Sequence, residues 1–143
     1  MNTPQMTSPS GENKRHGRGT RFLMLKATLG LLAFDLLGYA RDFRKLHQCV
    51  KKWRVSPPEG SLKNVDRVCR AINYACVWYP KRVQCLQRSA VTTCLLRSCG
   101  VPAEMVMGSQ IIPFKAHAWT EVNGKAINER RDVKKVYSVL ERC

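Results

Sequence analysis

The hydrophobic period of this chain changes after Cys99, and that change restricts the fold more than any other feature. Up to Cys99 the apolar residues recur in steps of three and four, the signature of amphipathic helices. Gly100-Val101-Pro102 then interrupts the pattern, and beyond it apolar and polar residues alternate. Helices followed by short strands with a tight turn predict an α+β domain, N-terminal helices leading into a small antiparallel sheet.

Four helices are expected before the break. The first covers Phe22 to Ala40. The second runs from about Arg41 to Trp53, with Phe43, Leu46, Val50 and Trp53 on one face. Ser56-Pro57-Pro58-Glu59-Gly60 ends it, because neither proline can continue a helical ladder. Ser61 is the expected N-cap of the third helix, whose stripe is Leu62, Val65, Val68, Cys69, Ile72 and Cys76. The fourth begins near Cys85 and stops at Cys99, where Gly100 supplies a left-handed cap and Pro102 blocks continuation. Leu86, Ala90, Val91, Cys94 and Leu95 give that helix a buried side.

Three strands follow. Ala103, Met105 and Met107 alternate with Glu104, Val106 and Gly108 in the first. Lys115 to Val122 is the second, Asn123-Gly124 a hairpin turn and Lys125 to Glu129 the third. From Asp132 onward Val133, Val136, Tyr137 and Leu140 sit at helical spacing. The chain thus divides into a disordered basic tail (1–20), an N-terminal helical region (21–60) and the main domain (61–143). The tail is assigned on composition, since it holds too few apolar side chains to offset the entropy of ordering.

Lys and Arg number 25 against 10 Asp and Glu, a net charge of +15. That charge suits anionic partners. The basic residues are dispersed, however, without zinc-finger spacing or an RNA-binding aromatic signature, so no nucleic-acid partner is expected. A solvated basic surface that attracts an acidic peptide fits better. The seven cysteines are odd in number, and no secretory signal accompanies them, which argues against a disulfide framework and for the cytoplasm. No Cys-x-x-Cys occurs and Cys94 and Cys99 are poorly spaced for zinc, so neither a metal nor a cofactor is expected. Lys26 and Asp35 interrupt the apolar run from Phe22 to Ala40, whereas a spanning helix needs ~20 largely apolar residues. The run therefore reads as a buried helix, with peripheral membrane contact as the alternative.

Two residues stand where thiol chemistry needs them. Cys85 heads a helix, where unpaired amides and the helix dipole favour the thiolate. His117 lies on a strand, on one face with Trp119 and Glu121, and can serve as general base. His16 falls in the tail and His47 has only local charged neighbours. The group that would orient the imidazole is Glu129 or Asn128, and hairpin register separates them. A strict two-residue turn pairs Val122 with Lys125 and puts Asn128 on the His117 side; a bulged turn puts Glu129 there. Gln84, Trp78 and Trp119 are candidates for oxyanion donation or substrate contact. Tyr79 could join the aromatic pair in a groove, and Arg88 could touch substrate, although a solvated arginine is the blander reading.

At Cys-Leu-x-Arg-Ser (Cys85 to Ser89), Gly100-Val101-Pro102-Ala103, Pro113-Phe114-Lys115-Ala116-His117-Ala118-Trp119-x-Glu121-Val122 and Asn123-Gly124 followed by Asn128, the chain resembles the leader peptidases of lasso-peptide biosynthesis. The resemblance covers roughly Val65 to the C-terminus. It implies a transglutaminase-like, papain-related cysteine protease fold over 61–143 with a cysteine, histidine, aspartate triad. Cys85 and His117 match the first two members, and the aspartate position falls on Glu129, one methylene longer; Asn128 is the second candidate. Only the tail and the helical region that opens with a hydrophobic helix precede this region, so the resemblance is to the protease half of a split system. It implies a precursor leader peptide as substrate, a separate leader-recognition protein and a lasso cyclase that takes the freed core. Such enzymes typically require threonine at the second position from the leader's end. Two other readings compete: transglutaminase-like acyl transfer, in which an amine replaces water, and a non-catalytic basic peptide-binding scaffold in which Cys85 is core.

Overall fold

A computed structural model describes residues 13–36, 42–57, 62–129 and 132–143. Four helices come first: α1 (Asn13–Leu36), α2 (Phe43–Lys52), α3 (Leu62–Trp78) and α4 (Cys85–Ser98). They are followed by β1 (Ala103–Gln110), β2 (Lys115–Val122), β3 (Lys125–Ile127), the single turn α5 (Val133–Val136) and β4 (Ser138–Arg142). The antiparallel sheet has the order β3-β2-β1-β4. The α+β architecture read from the change of period is the one observed.

The middle of the molecule is α4. From Gln87 to Arg97 only Arg88 escapes full burial, because α1, α2 and α3 pack on one side and β1 and β2 on the other. A helix enclosed all round should carry little amphipathic signal, and its polar side chains must then find partners inside. They do. Gln87 Nε2 donates to Leu31 O at 2.8 Å, Ser89 Oγ to Ala118 O at 2.9 Å, and Thr93 Oγ1 lies 3.2 Å from Thr120 Oγ1. Arg97 donates from Nε to Ala103 O at 2.8 Å and from Nη1 to Val50 O at 2.6 Å and Trp53 O at 3.2 Å, placing its charge on the carbonyl end of α2. Two apolar clusters flank this helix. Leu23, Ala27, Leu31, Val68, Ile72, Val91 and Leu96 fill one, and Leu46, Val50, Ala90, Cys94 and Met105 the other.

Three expectations change. Helix α1 begins at Asn13, so residues 13–20 are helical rather than tail, and Gly19 lies beneath the Arg67 guanidinium of α3. Once α1 is seated on α3, each further residue adds one hydrogen bond at little entropic cost. The disorder expected for residues 1–12 and the N-cap expected at Ser61 lie outside the described residues. The tail after Asp132 is one helical turn and then a strand: β4 pairs with β1, with a register shift between Met107 and Gly108. The open edge of β1 wins over the local helical spacing. Finally, the third strand expected over Lys125 to Glu129 stops at Ile127; in β1, Val106 packs with Trp119 and Val133 on the side away from α4.

Helix α1 turns Leu23, Ala27 and Leu31 inward and leaves Phe22, Leu25, Leu29, Leu32 and Leu36 exposed. Among the described residues no helix is long and apolar enough to cross a membrane.

Candidate active site

Gln84 enters α4 in an extended conformation (φ −78°, ψ 153°) and its side chain makes no cap. The first-turn amides are therefore left for whatever sits at the head of the helix, and Cys85 sits there. Its thiol is held below the usual cysteine range. The hydrogen bond with His117 is the largest cause; partial burial opposes it, and the amides of Ala118 and Leu86 add to it. Burial pushes five other thiols up: Cys69, Cys76 and Cys99 rise, Cys143 goes to about 11 and Cys94 to about 12.

The partner comes from β2. Ser89 holds Ala118 O from the first turns of α4, so the helix head and the strand are pinned beside each other where His117 and Cys85 meet. The His117 pKa is raised from 6.5 to about 9, by the bond with Cys85 first and Glu129 second, against a smaller burial effect. Together the two shifts favour a thiolate–imidazolium pair at neutral pH. The ring is walled by Tyr137 at 5.3 Å and Trp119 at 6.2 Å between centroids. Gly108 lies opposite His117 in the β1–β2 ladder. A Cβ there would come within 2.8 Å of Ser138 O and 2.9 Å of the Trp119 ring, so the glycine lets these walls close.

Glu129 Oε2 lies 3.4 Å from His117 Nε2. With Nε2 taken, Nδ1 is the nitrogen left for Cys85. Hairpin register does not select Glu129 in the way the sequence suggests. The turn is the strict two-residue form, pairing Val122 with Lys125 and Thr120 with Ile127, which by alternation would favour Asn128. Yet Asn128 has φ +57°. The left-handed residue ends the ladder at Ile127 and reverses the alternation, so the next side chain reaches the imidazole. Asn128 itself bonds with Asn73 of α3.

Cys85, His117, Asn128 and Glu129 line a cavity of about 60 Å³ together with Arg88 and Ser89. It adjoins a groove of about 810 Å³ bounded by Asn73, Val77, Arg88, Gln110, Lys115 and Tyr137. The aromatic candidates lie elsewhere. Trp78 is 76% exposed and borders neither space. Trp119 is fully buried and its Nε1–H is bonded to Glu121 at 2.9 Å, which removes it as an oxyanion donor or substrate contact. Tyr79 is buried with its hydroxyl on Asp35 at 3.1 Å. Gln84 is exposed at the helix head and borders neither space.

Arg88 is not a solvated arginine: Nη2 donates to Asn73 Oδ1 at 2.9 Å and to Asn128 O at 3.3 Å. Its place three residues after Cys85, on the same side of α4, is a sequence signal that could have marked it. Asn73 and Tyr137 carried no comparable signal, because each reaches the site only through tertiary packing. Among the described residues no group of three or more His, Cys, Asp or Glu is arranged to hold a metal ion.

Compared with known families, residues 30–142 match the transglutaminase-like superfamily. Neither the curated proteins nor the solved structures yield a match.

Proposed function

The chain belongs to the transglutaminase-like superfamily, and on that premise we propose that it is a cysteine peptidase that removes the leader from a lasso-peptide precursor, working with a separate leader-binding protein. The superfamily includes cysteine proteases and acyltransferases, and its members are typically cysteine-dependent enzymes. The observation that supports the reading most is the grouping of Cys85, His117 and Glu129 around one small cavity, which shares His117 and Glu129 with a larger groove. The groove suits an extended peptide. Its wall includes Val77, and Gln110 and Lys115 lead to a hairpin tip whose Ile111, Ile112 and Phe114 are more than three-quarters exposed. The lasso precursor, the leader-recognition protein and the downstream cyclase follow from the sequence resemblance, and the cytoplasm from a chain whose cysteines are all free.

In the proposed cycle the Cys85 thiolate attacks the carbonyl of the last leader residue. The electron pair moves onto the oxygen and returns as the C–N bond breaks, and imidazolium His117 gives its proton to the departing core amine. Neutral His117 then takes a proton from water, whose oxygen attacks the thioester and releases the thiolate and the leader's carboxylic acid, which gives its remaining proton to solvent. Glu129 orients the ring and stabilises its charged form. The oxyanion would meet unpaired amides at the head of α4; one such donor is worth about 2.7–4 kcal/mol in comparable sites.

The test is mass spectrometry of a lasso precursor incubated with this protein and its leader-binding partner. Leader and core masses from one cut, absent with Cys85→Ala, support the peptidase. A crosslinked mass would assign acyl transfer instead. An unmodified precursor together with a Cys85 inert to alkylation would leave the scaffold reading.

A further inference from the structure

Asparagine tolerates a left-handed backbone but does not enforce one. In an isolated strand Asn128 would relax to the extended region, and alternation would then turn Glu129 away from His117. Four hydrogen bonds oppose that relaxation. Asn73 Nδ2 donates to Asn128 Oδ1 at 3.0 Å and Asn128 Nδ2 donates to Asn73 Oδ1 at 3.1 Å, a reciprocal amide pair between α3 and the end of β3. Arg88 Nη2 joins the two, reaching Asn73 Oδ1 at 2.9 Å and Asn128 O at 3.3 Å. The second contact grips the backbone carbonyl of the left-handed residue. One guanidinium nitrogen on α4 thus ties α3 and the end of β3 to the helix that carries Cys85.

We propose that Asn73, Arg88 and Asn128 form a positioning clamp that holds Asn128 in its left-handed conformation and thereby sets Glu129 against His117. None of the three is assigned a chemical step. Their part is to decide which side chain the imidazole meets, and the deciding bonds come from residues 55 positions apart in the chain. Without the clamp, a glutamate one methylene longer than aspartate has freedom to leave the imidazole.

The His117 imidazole reports the clamp, because Glu129 is one of the groups that raise its pKa. The charged and titratable groups around it are Cys85 and Arg88 from α4, Cys76 from α3, Glu129 after β3, Tyr137 before β4 and Lys115 on its own strand. Removing Arg88 would also delete a positive charge near the ring, which by itself raises the imidazole pKa and masks the loss of Glu129. Asn73 is uncharged, so Asn73→Ala is the cleaner probe. Asn128→Gly removes the side-chain bonds while accepting the positive φ without strain, and so guards against a variant that fails to fold.

The experiment is an NMR titration of the His117 imidazole in the full chain, assigned by its absence from His117→Gln. The expected result is a fall of the midpoint from about 9 toward 6.5 in both variants, by one pH unit or more, a tenfold loss of proton affinity. The same substitutions in a Glu129→Gln background should add nothing, since the clamp acts only through that carboxylate. An unmoved midpoint in folded Asn73→Ala and Asn128→Gly would overturn the proposal, as would an equal fall in the Glu129→Gln background. If Asn73→Ala does not fold, Asn128→Gly decides by the same readings. The clamp has its functional meaning through the peptidase reading, yet the imidazole titrates whichever acyl group Cys85 attacks, so the failure of one is distinct from the failure of the other.

Discussion

Cys85 and Cys94 lie on the same helix and are pushed in opposite directions. At the head of α4 the thiol meets an imidazole and two backbone amides, and its pKa falls. In the middle of α4 the thiol is packed with Leu46, Val50, Ala90 and Met105, and burial drives its pKa to about 12. Cys94 is buried and Cys85 partly buried, and burial by itself raises both thiols. What differs is whether burial comes with donors. An anion removed from water without hydrogen bonds is expelled as its neutral form, and one removed from water onto amides and an imidazolium is retained.

The largest expected break in this comparison is functional. Cys85→Ala should lower cleavage by about 10⁴-fold or more with an unchanged melt, whereas Cys94→Ala should leave cleavage within a few-fold. Mass spectrometry of the precursor beside circular dichroism would show it; equal losses in the two variants would place the chemistry elsewhere. Next in size is reactivity itself. At pH 7 iodoacetamide should label Cys85 at least about 10²-fold faster than Cys94, and the difference should vanish in denaturant, where both thiols return to their ordinary pKa. Peptide mapping after short exposures reads both rates.

Glu129→Gln probes what the imidazole adds at the helix head. Cleavage should drop by about 10²-fold, and its alkaline limb should move from about pH 9 toward 6.5. The sign follows from the direction of the shift. A histidine whose folded pKa is raised stabilises the protein below its unfolded value near 6.5 and loses that contribution as pH rises through about 9. Stability measured against pH in the wild type should therefore show this contribution fading over that interval, and Glu129→Gln should narrow the interval. An alkaline limb unchanged by Glu129→Gln would remove the carboxylate from the site.

Smaller effects test the scaffold shared by both thiols. Ser89→Ala deletes the bond that holds Ala118 O beside the helix head and leaves a buried carbonyl short of a donor, at a cost of about 1–3 kcal/mol. It should also slow labelling of Cys85 without altering Cys94, and a stability loss with labelling intact would show that the bond does not align the pair. Cys94→Ala should cost about 1 kcal/mol, the loss of a small buried apolar group, in a chemical melt.

The sequence showed the helix head at Cys85 and the strand carrying His117 because caps, breaks and periods are local properties. Gln84 precedes a helix that starts where the pattern starts, and Gly100, at φ +75°, ends the same helix as the glycine predicts. Register reasoning reached Glu129 and Asn128 as the two candidates but could not choose. It assumed that residues after the turn keep strand geometry, and Asn128 does not. Trp119 looked available because alternation puts it on the face of His117, yet its indole is committed to Glu121, a carboxylate 1% exposed that also meets Arg142 at 2.9 Å and Lys134 at 3.3 Å. Such a network is invisible until β4 is known to lie beside β1.

By itself, then, the chain determined its α+β order, the limits of α4 and β2, and the pairing of one thiol with one imidazole, since each follows from interactions within a few residues or from side-chain chemistry alone. Tertiary structure decided the fourth strand, the enclosure of α4 on every side and the selection of Glu129. Each of these rests on contacts between segments far apart in sequence, and the clearest is the amide of Asn73 on α3 bonding to Asn128 after β3. A local pattern carries no record of which distant donor will arrive, and the backbone conformation that turns Glu129 toward His117 depends on that arrival.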